Sequence, residues 1–144
     1  MKIEEIIDQW TEDSNIDRTE LADEALKISK LHPKYHRILV NERLLLRAFE
    51  AEMKQLKLDK YEFYTQGPNE ESKIKGWVMP AKGLILKSDI PMYIDADKDM
   101  VKLSLKIGLQ QEKIELLESI IKSLGNRGYN IKAAIDFIRY TSGN

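Results

Sequence analysis

The sequence of 144 residues contains no cysteine, which excludes disulfide bonds, thiolate metal sites and cysteine-dependent catalysis. A chain without disulfides fits a reducing compartment. The N-terminus, MKIEEIIDQW, is acidic and amphipathic, unlike a secretory signal peptide. No apolar run approaches the roughly 20 residues that a membrane-spanning helix needs. We therefore expect a cytoplasmic protein that has no membrane partner.

Sequence motifs for catalysis and for cofactor binding are also missing. There is no phosphate-binding Walker loop, no GxGxxG and no HExxH. His32 and His36 alone would make an incomplete metal site. The stretch DADKDM begins like a calcium-binding loop, but Met100 and Lys106 stand where that loop needs glycine and glutamate. We therefore expect no catalytic residue, no metal and no cofactor.

A metal-dependent nuclease is the enzyme hypothesis that remains, and it would use Asp95, Asp97 and Asp99. Residues two apart on a helix are splayed by roughly 200°. The three carboxylates would therefore not converge on one metal ion, and helix capping by Asp95 or Asp97 explains them better.

Proline and glycine are scarce outside residues 65–93, which hold three of the four prolines and three of the seven glycines. The rest of the chain has helical periodicity, so we predict an elongated, mainly all-α subunit with two long antiparallel helices. The expected parts of this single domain are acidic N-terminal helices at 1–31, a long basic helix at 33–64 that begins at Pro33, a loop or small extended pair at 65–93, and a heptad helix followed by a C-terminal helix at 95–144.

The C-terminal half has the pattern of an assembling helical protein. Apolar residues and one glutamine follow a 3-4 spacing that predicts a heptad seam. Its members are Met100, Leu103, Ile107, Gln110, Ile114, Leu117, Ile121 and Leu124. We expect Gly125 to end this helix and a separate helix to follow from about Tyr129 to Thr141. That last helix has nearly two apolar faces, which indicates contact with another subunit through Ile131, Ile135, Phe137 and Ile138.

Charge is distributed unevenly along the chain. Residues 1–26 carry a net charge of −7 and residues 27–60 carry +5, although the whole chain carries only −1. In the basic segment, Arg43, Arg47, Lys54 and Tyr61 fall within about 40° of one another on a helix, and Lys57 lies beside them. Lys60 lies closer to the apolar stripe. Cations followed by the rings of Tyr61 and Tyr64 are typical of surfaces that bind single-stranded DNA, since cations bind phosphates and rings stack on bases.

Three stretches give the sequence a resemblance to a known family: IEEIIDQWTEDSNID at the start, LKLDKYEFYTQG in the basic segment, and residues 95–144 from DADKDM to the end. The chain resembles the UvsY-like recombination mediators of T-even-like phages and their cyanophage relatives. In the basic segment the family has Lys-x-Arg where this chain has Leu58, Asp59 and Lys60. The resemblance therefore carries the family's DNA-binding role only to Lys60, and Lys54 and Lys57 are candidates from the residues themselves.

The resemblance implies a non-enzymatic protein that forms a ring of about six to eight copies through its C-terminal helices. It also implies three partners besides other copies: single-stranded DNA, a RecA-like recombinase and a single-strand-binding protein that is displaced. The resemblance further implies that the protein acts in the cytoplasm of an infected host cell. The alternative is a helical scaffold that binds only protein, in which the basic residues merely keep the helix soluble.

Overall fold

The structure, a computed structural model, describes residues 1–80 and 85–143. It contains five α-helices: α1 (Ile3–Asp13), α2 (Leu21–Gln66), α3 (Glu70–Ile74), α4 (Ile90–Ala96) and α5 (Lys98–Thr141). A short 3-10 helix, Lys87–Asp89, precedes α4. The described residues contain no strand, so the all-α prediction is confirmed. The prediction of a loop or extended pair at 65–93 is wrong where α3 and the start of α4 lie, and its residues 81–84 fall outside the described part.

Helix α2 continues through Pro33, where the sequence predicted a helix to begin. The predicted boundary between 1–31 and 33–64 is therefore wrong. Proline in a helix interior costs about 3 kcal/mol because it removes one hydrogen bond and clashes with the preceding turn. Burial offsets this cost, since Tyr35 and Leu39, two and six residues further on, are both buried. Gly67 then ends α2 with a positive φ of 87°, and its N–H donates to the Phe63 carbonyl.

Helix α5 likewise continues through Gly125 and Gly128 to Thr141. The predicted helix end at Gly125 and the separate C-terminal helix are therefore wrong. Glycine in a helix interior costs only about 1 kcal/mol relative to alanine. Leu124 and Ile131 are buried on either side of the two glycines, so packing keeps the helix intact.

The chain divides into two compact units, one made of Met1–Leu44 with Gln111–Asn144 and the other of Leu45–Gln110. In the first unit, α1 packs through Ile6, which is fully buried, and through the Trp10 ring, which meets the Tyr35 ring edge-on at 5.5 Å. The Tyr35 hydroxyl donates to Asp13 at 2.7 Å. Lys113 lies 3.7 Å from Glu42, which is consistent with antiparallel packing of α5 on α2 in this unit.

Arg127 fastens the chain segment that follows α1. Its guanidinium donates to the carbonyl oxygens of Asp13, Ser14 and Asn15 at 3.0, 2.9 and 3.2 Å. These carbonyls stand at the C-terminal end of α1, where a helix leaves carbonyl groups without partners and where a cation is favoured. The arginine therefore satisfies backbone groups that would otherwise need water.

The core of the second unit lies where α4 and the start of α5 meet the end of α2. Ile90, Ile94 and Met100 are buried there, with Met53 and Leu56 packed against them. Asp97 is the N-cap of α5, because its Oδ1 accepts from the backbone N–H groups of Asp99 and Met100 at 2.9 and 3.2 Å. The capping role proposed for Asp97 is confirmed.

The predicted heptad seam is largely confirmed. Six of its eight members are buried and the other two, Ile107 and Ile121, are partly buried. Ile120, which the 3-4 spacing did not include, is also buried. Within the described residues, no helix is both long enough and apolar enough to cross a membrane.

Candidate nucleic-acid interface

Lys60 is buried, although the sequence suggested that its charge would be available to DNA. Its side chain projects from α2 into the second unit and the residue is only 2% exposed. The ammonium lies 3.1 Å from Asp97 Oδ2 and 2.8 Å from Asp99 Oδ2. A buried charge needs such partners, because desolvation alone would make it unstable. In this position Lys60 holds carboxylates and cannot contact a phosphate.

Tyr64 joins the same cluster one turn further along α2. Its hydroxyl donates to Asp97 Oδ2 at 2.7 Å. Burial, together with this hydrogen bond, raises the pKa of the Tyr64 hydroxyl above its ordinary value. Burial alone would raise the pKa of Asp97, but hydrogen bonds from Tyr64 and Lys60 outweigh it and hold the Asp97 pKa below its ordinary value. Asp97 is therefore ionised and Tyr64 protonated at neutral pH.

Trp77 covers the Lys60 ammonium. The nitrogen lies 3.7 Å from the centroid of the indole ring, which is a close cation–π contact. The same ring meets the buried Phe63 ring edge-on, with centroids 5.5 Å apart. Sequence analysis did not select Trp77, because the sequence around it has neither a helical nor a strand periodicity that would predict where its ring lies.

The other cations of the predicted site are exposed. Arg47, Lys54 and Lys57 all lie on the surface of α2 in the second unit, and Tyr61 is 48% exposed. Lys54 and Tyr61 are seven residues apart, so they lie two turns apart on one side of the helix. We call Arg47, Lys54, Lys57 and Tyr61 the basic strip. It presents three cations and one ring to solvent.

Arg43 belongs to the first unit, and its guanidinium donates to Glu118 at 2.9 Å. Both side chains are about half exposed, so this pair is weak and does not remove the arginine from solvent. Arg43 is thus available to an anion, with a carboxylate as competitor. Of the seven predicted DNA-binding residues, Lys60 alone is buried, and Tyr64 is half-buried.

The end of α5 carries the residues predicted to contact another subunit. Ile131 is 3% exposed and packs within its own unit, and Ile135 is half-buried. Phe137 and Ile138 are 67% and 52% exposed. Of the four predicted contact residues, Ile131 and Ile135 are therefore used inside the unit, while Phe137 and Ile138 face solvent.

No group of three or more His, Asp or Glu side chains that could hold a metal occurs within residues 1–80 and 85–143. The stacked His32 and His36 rings, with centroids 6.0 Å apart, stand alone on the exposed surface of α2. The carboxylates of Asp97 and Asp99 are instead paired with Lys60.

The sequence profile of the family described as "Recombination, repair and ssDNA binding protein UvsY" matches residues 9–144. No relative was found among curated protein sequences. Three crystal structures of the bacteriophage T4 recombination mediator protein UvsY, in lattice types IV, II and I, have similar folds. Their sequences are 18%, 19% and 19% identical to this chain, with TM-scores of 0.79, 0.83 and 0.81. The matches cover 98%, 99% and 95% of this chain and 99%, 98% and 98% of the T4 chains.

Proposed function

Because the chain belongs to the UvsY family of recombination, repair and single-stranded DNA binding proteins, we propose that it is a recombination mediator. It binds single-stranded DNA, displaces a single-strand-binding protein and helps a RecA-like recombinase to load. The observation that carries this proposal is the basic strip, where three exposed cations and an exposed tyrosine share one stretch of helix. Point charges for phosphates and a ring for a base are what sequence-neutral binding of a single strand requires.

In our proposal the exposed lysines of the basic strip and the buried Lys60 have different tasks. In our proposal Arg47, Lys54 and Lys57 contact phosphates, Tyr61 stacks on a base, and Arg43 extends the surface. Lys60 supports the end of α2 from inside by holding Asp97 and Asp99, with Tyr64 as its neighbour. Lys60 thus contributes to DNA binding by shaping the helix that carries the strip.

Assembly multiplies this surface in our proposal. The exposed Phe137 and Ile138 contact another copy, while Ile131 and Ile135 support them from within the unit. A ring repeats one basic strip per subunit, and a strand that engages several strips binds far more tightly than one that engages a single strip. Such avidity fits a protein that competes with a single-strand-binding protein for the same DNA.

A titration of a labelled oligonucleotide at several salt concentrations tests the DNA-binding step. The variant Arg47→Ala/Lys54→Ala/Lys57→Ala removes three phosphate contacts. Since single strands lose about 0.7 in the log–log salt slope per neutralised phosphate, the slope should fall by about 2. The matched control is Lys30→Ala/Lys87→Ala/Lys122→Ala, which removes three exposed charges elsewhere. Equal slopes for the two variants would place the DNA elsewhere, and no binding at low salt would favour a scaffold for proteins.

The mediator step needs a separate assay. We expect the protein to shorten the lag before a RecA-like recombinase forms filaments on DNA coated with single-strand-binding protein. The triple Ala variant of the basic strip should shorten this lag less than the control variant does. If the lag does not change when the protein is added, the proposed mediator function is wrong, whereas the proposed DNA binding is unaffected.

A further inference from the structure

A cavity of about 450 Å³ opens in the second unit where α2 ends. Its volume lies within the range of pockets that hold small organic ligands. The walls include the rings of Tyr64, Trp77 and Tyr93 and the ammonium-bearing side chains of Lys75 and Lys98. Flat rings and cations are thus combined here a second time, apart from the basic strip.

The aromatic walls are held in place by contacts. The Tyr64 hydroxyl is bound to Asp97, and the Tyr93 ring lies 6.0 Å from the Tyr64 ring at an angle of 40°. The Trp77 ring is fixed by Lys60 and Phe63. Trp77 and Tyr93 are only partly buried, so part of each ring faces the cavity. The rings therefore form a preorganised surface for a flat ligand, which reduces the cost of binding it.

The charges at the cavity select the chemistry of that ligand. Lys75 and Lys98 are exposed, although Lys75 also pairs with Glu71 at 3.0 Å. Asp97 is deep in the wall and is paired with Lys60, while Asp99 is half exposed. An inorganic phosphate inside the cavity would be repelled by these carboxylates. A nucleotide fits better, with its uncharged base inside and its phosphate at the exposed lysines.

The cavity also lies just beyond the basic strip along α2. Lys57 and Tyr64 are seven residues apart, so they lie on the same side of α2 about 10 Å apart. A strand bound by Lys54 and Lys57 would reach the cavity after a few nucleotides. One unstacked base could then enter while the backbone stays on the lysines.

We propose that this cavity takes up one unstacked base of a bound DNA strand, which stacks against Tyr93 and lies beside the Trp77 ring, while its phosphate lies at Lys75 or Lys98. The inference rests on the proposed function, because it needs a single strand on the protein. The cavity would bind a base, whereas the basic strip binds mainly phosphates.

The first test compares an oligothymidylate with an abasic strand of the same length and number of phosphates. We expect the native protein to bind the oligothymidylate more tightly, because Tyr61 of the basic strip and the cavity would each take up a base. Tyr93→Ala should lower that preference by about tenfold, the share of one stacked base, and keep its affinity for the abasic strand. Met92→Ala is the matched control, because Met92 is an exposed neighbour in the same helix.

The second test uses the native cavity and so does not depend on the folding of Tyr93→Ala. The chain has two tryptophans, and Trp10→Phe leaves Trp77 as the sole tryptophan. We expect oligothymidylate to quench the Trp77 fluorescence and the abasic strand to leave it nearly unchanged. Lys75→Ala/Lys98→Ala should weaken the quenching at a given oligothymidylate concentration.

The outcomes separate this inference from the proposed function. A preference for the oligothymidylate that is unchanged in Tyr93→Ala, with Trp77 fluorescence unaffected by either strand, would overturn the base-binding cavity and leave DNA binding by the basic strip intact. Quenching that is the same with both strands would also overturn it, since no base would be needed. Binding of neither strand would overturn both proposals together.

Discussion

The Lys60 ammonium lies 3.7 Å from the centroid of the Trp77 ring, although the two residues belong to different segments of the chain. The ring closes one side of a charge cluster whose other sides are the carboxylates of Asp97 and Asp99. A lysine in the middle of a basic, aromatic stretch is thus a structural residue that joins the end of α2 to the start of α5.

This arrangement predicts a large loss of stability for Lys60→Met. The change would leave the buried Asp97 carboxylate without its cation, and breaking a buried pair in this way costs about 3 kcal/mol or more. Urea unfolding followed by circular dichroism measures the effect. Lys57→Met is the matched control and should change the free energy of unfolding by no more than about 0.5 kcal/mol, because Lys57 is exposed. Equal stabilities for the two variants would show that the Lys60 pairs contribute nothing.

The same cluster predicts how stability depends on acidity. The Asp97 pKa is held below its ordinary value of 3.8, so the folded protein favours the ionised form. The resulting stabilisation is complete above that ordinary value and is lost as the pH falls through the lower folded-state pKa. Asp13 acts in the same direction in the first unit, where hydrogen bonds from Lys34 and Tyr35 lower its pKa against the effect of burial.

Urea midpoints measured between about pH 7 and pH 2 test this dependence. The native protein should lose stability below about pH 4. Asp97→Asn should be less stable at neutral pH and show a shallower decline in acid, because one of the responsible carboxylates is gone. Parallel curves for the two proteins would mean that Asp97 is not among the groups that cause the acid loss.

The exposed apolar end of α5 predicts a change of mass on substitution. If the chain forms the proposed ring, Phe137→Ser/Ile138→Ser should convert it to smaller species in light scattering, since the change removes apolar area from the proposed contact between copies. Leu26→Ser is the matched control, because Leu26 is 71% exposed on α2 and should leave the mass unchanged. A native protein that is monomeric at all concentrations would exclude a ring.

The hydrogen bonds of Arg127 are expected to stabilise the contact between α5 and the end of α1. Arg127→Met would remove the donors to three carbonyl groups, and a hydrogen bond to a charged group has a net contribution of about 1.5–3 kcal/mol, part of which water at the freed carbonyls restores. We expect a loss of about 3 kcal/mol and faster hydrogen exchange in α1. Arg18→Met changes an exposed arginine in the same unit and should alter neither quantity. Unchanged protection of α1 in Arg127→Met would contradict the role.

The sequence predicted these features unevenly, and the reasons are physical. Helical periodicity identified the seam of α5 and placed Lys60 near the apolar stripe, because side-chain direction on a helix follows from position alone. It could not identify Asp97 and Asp99 as the partners of Lys60, since that pairing depends on how distant segments pack. The boundaries at Pro33 and Gly125 were wrong for a related reason: the burial of Tyr35 and Leu39 after Pro33, and of the residues on either side of Gly125, outweighs the local preference of each.

The candidate interface, too, could be predicted only where helical position decides the direction of a side chain. The exposure of Lys54, Lys57 and Tyr61 agrees with their predicted place outside the stripe. Trp77 and Tyr93 belong to a region without helical or strand periodicity, and only folding brings their rings beside Tyr64. The cavity could therefore not have been predicted from a motif.

The bonds from Arg127 to Asp13, Ser14 and Asn15 join positions that are 112–114 residues apart. Because α1 is synthesised before Arg127, a nascent chain lacks this link until that part of α5 has been made. Closing so long a loop is also costly in entropy. Arg127 therefore joins this segment later than α1 can pack on α2, and a chain truncated before residue 127 would keep the contacts of α1 with Tyr35 but leave the three carbonyl groups to water.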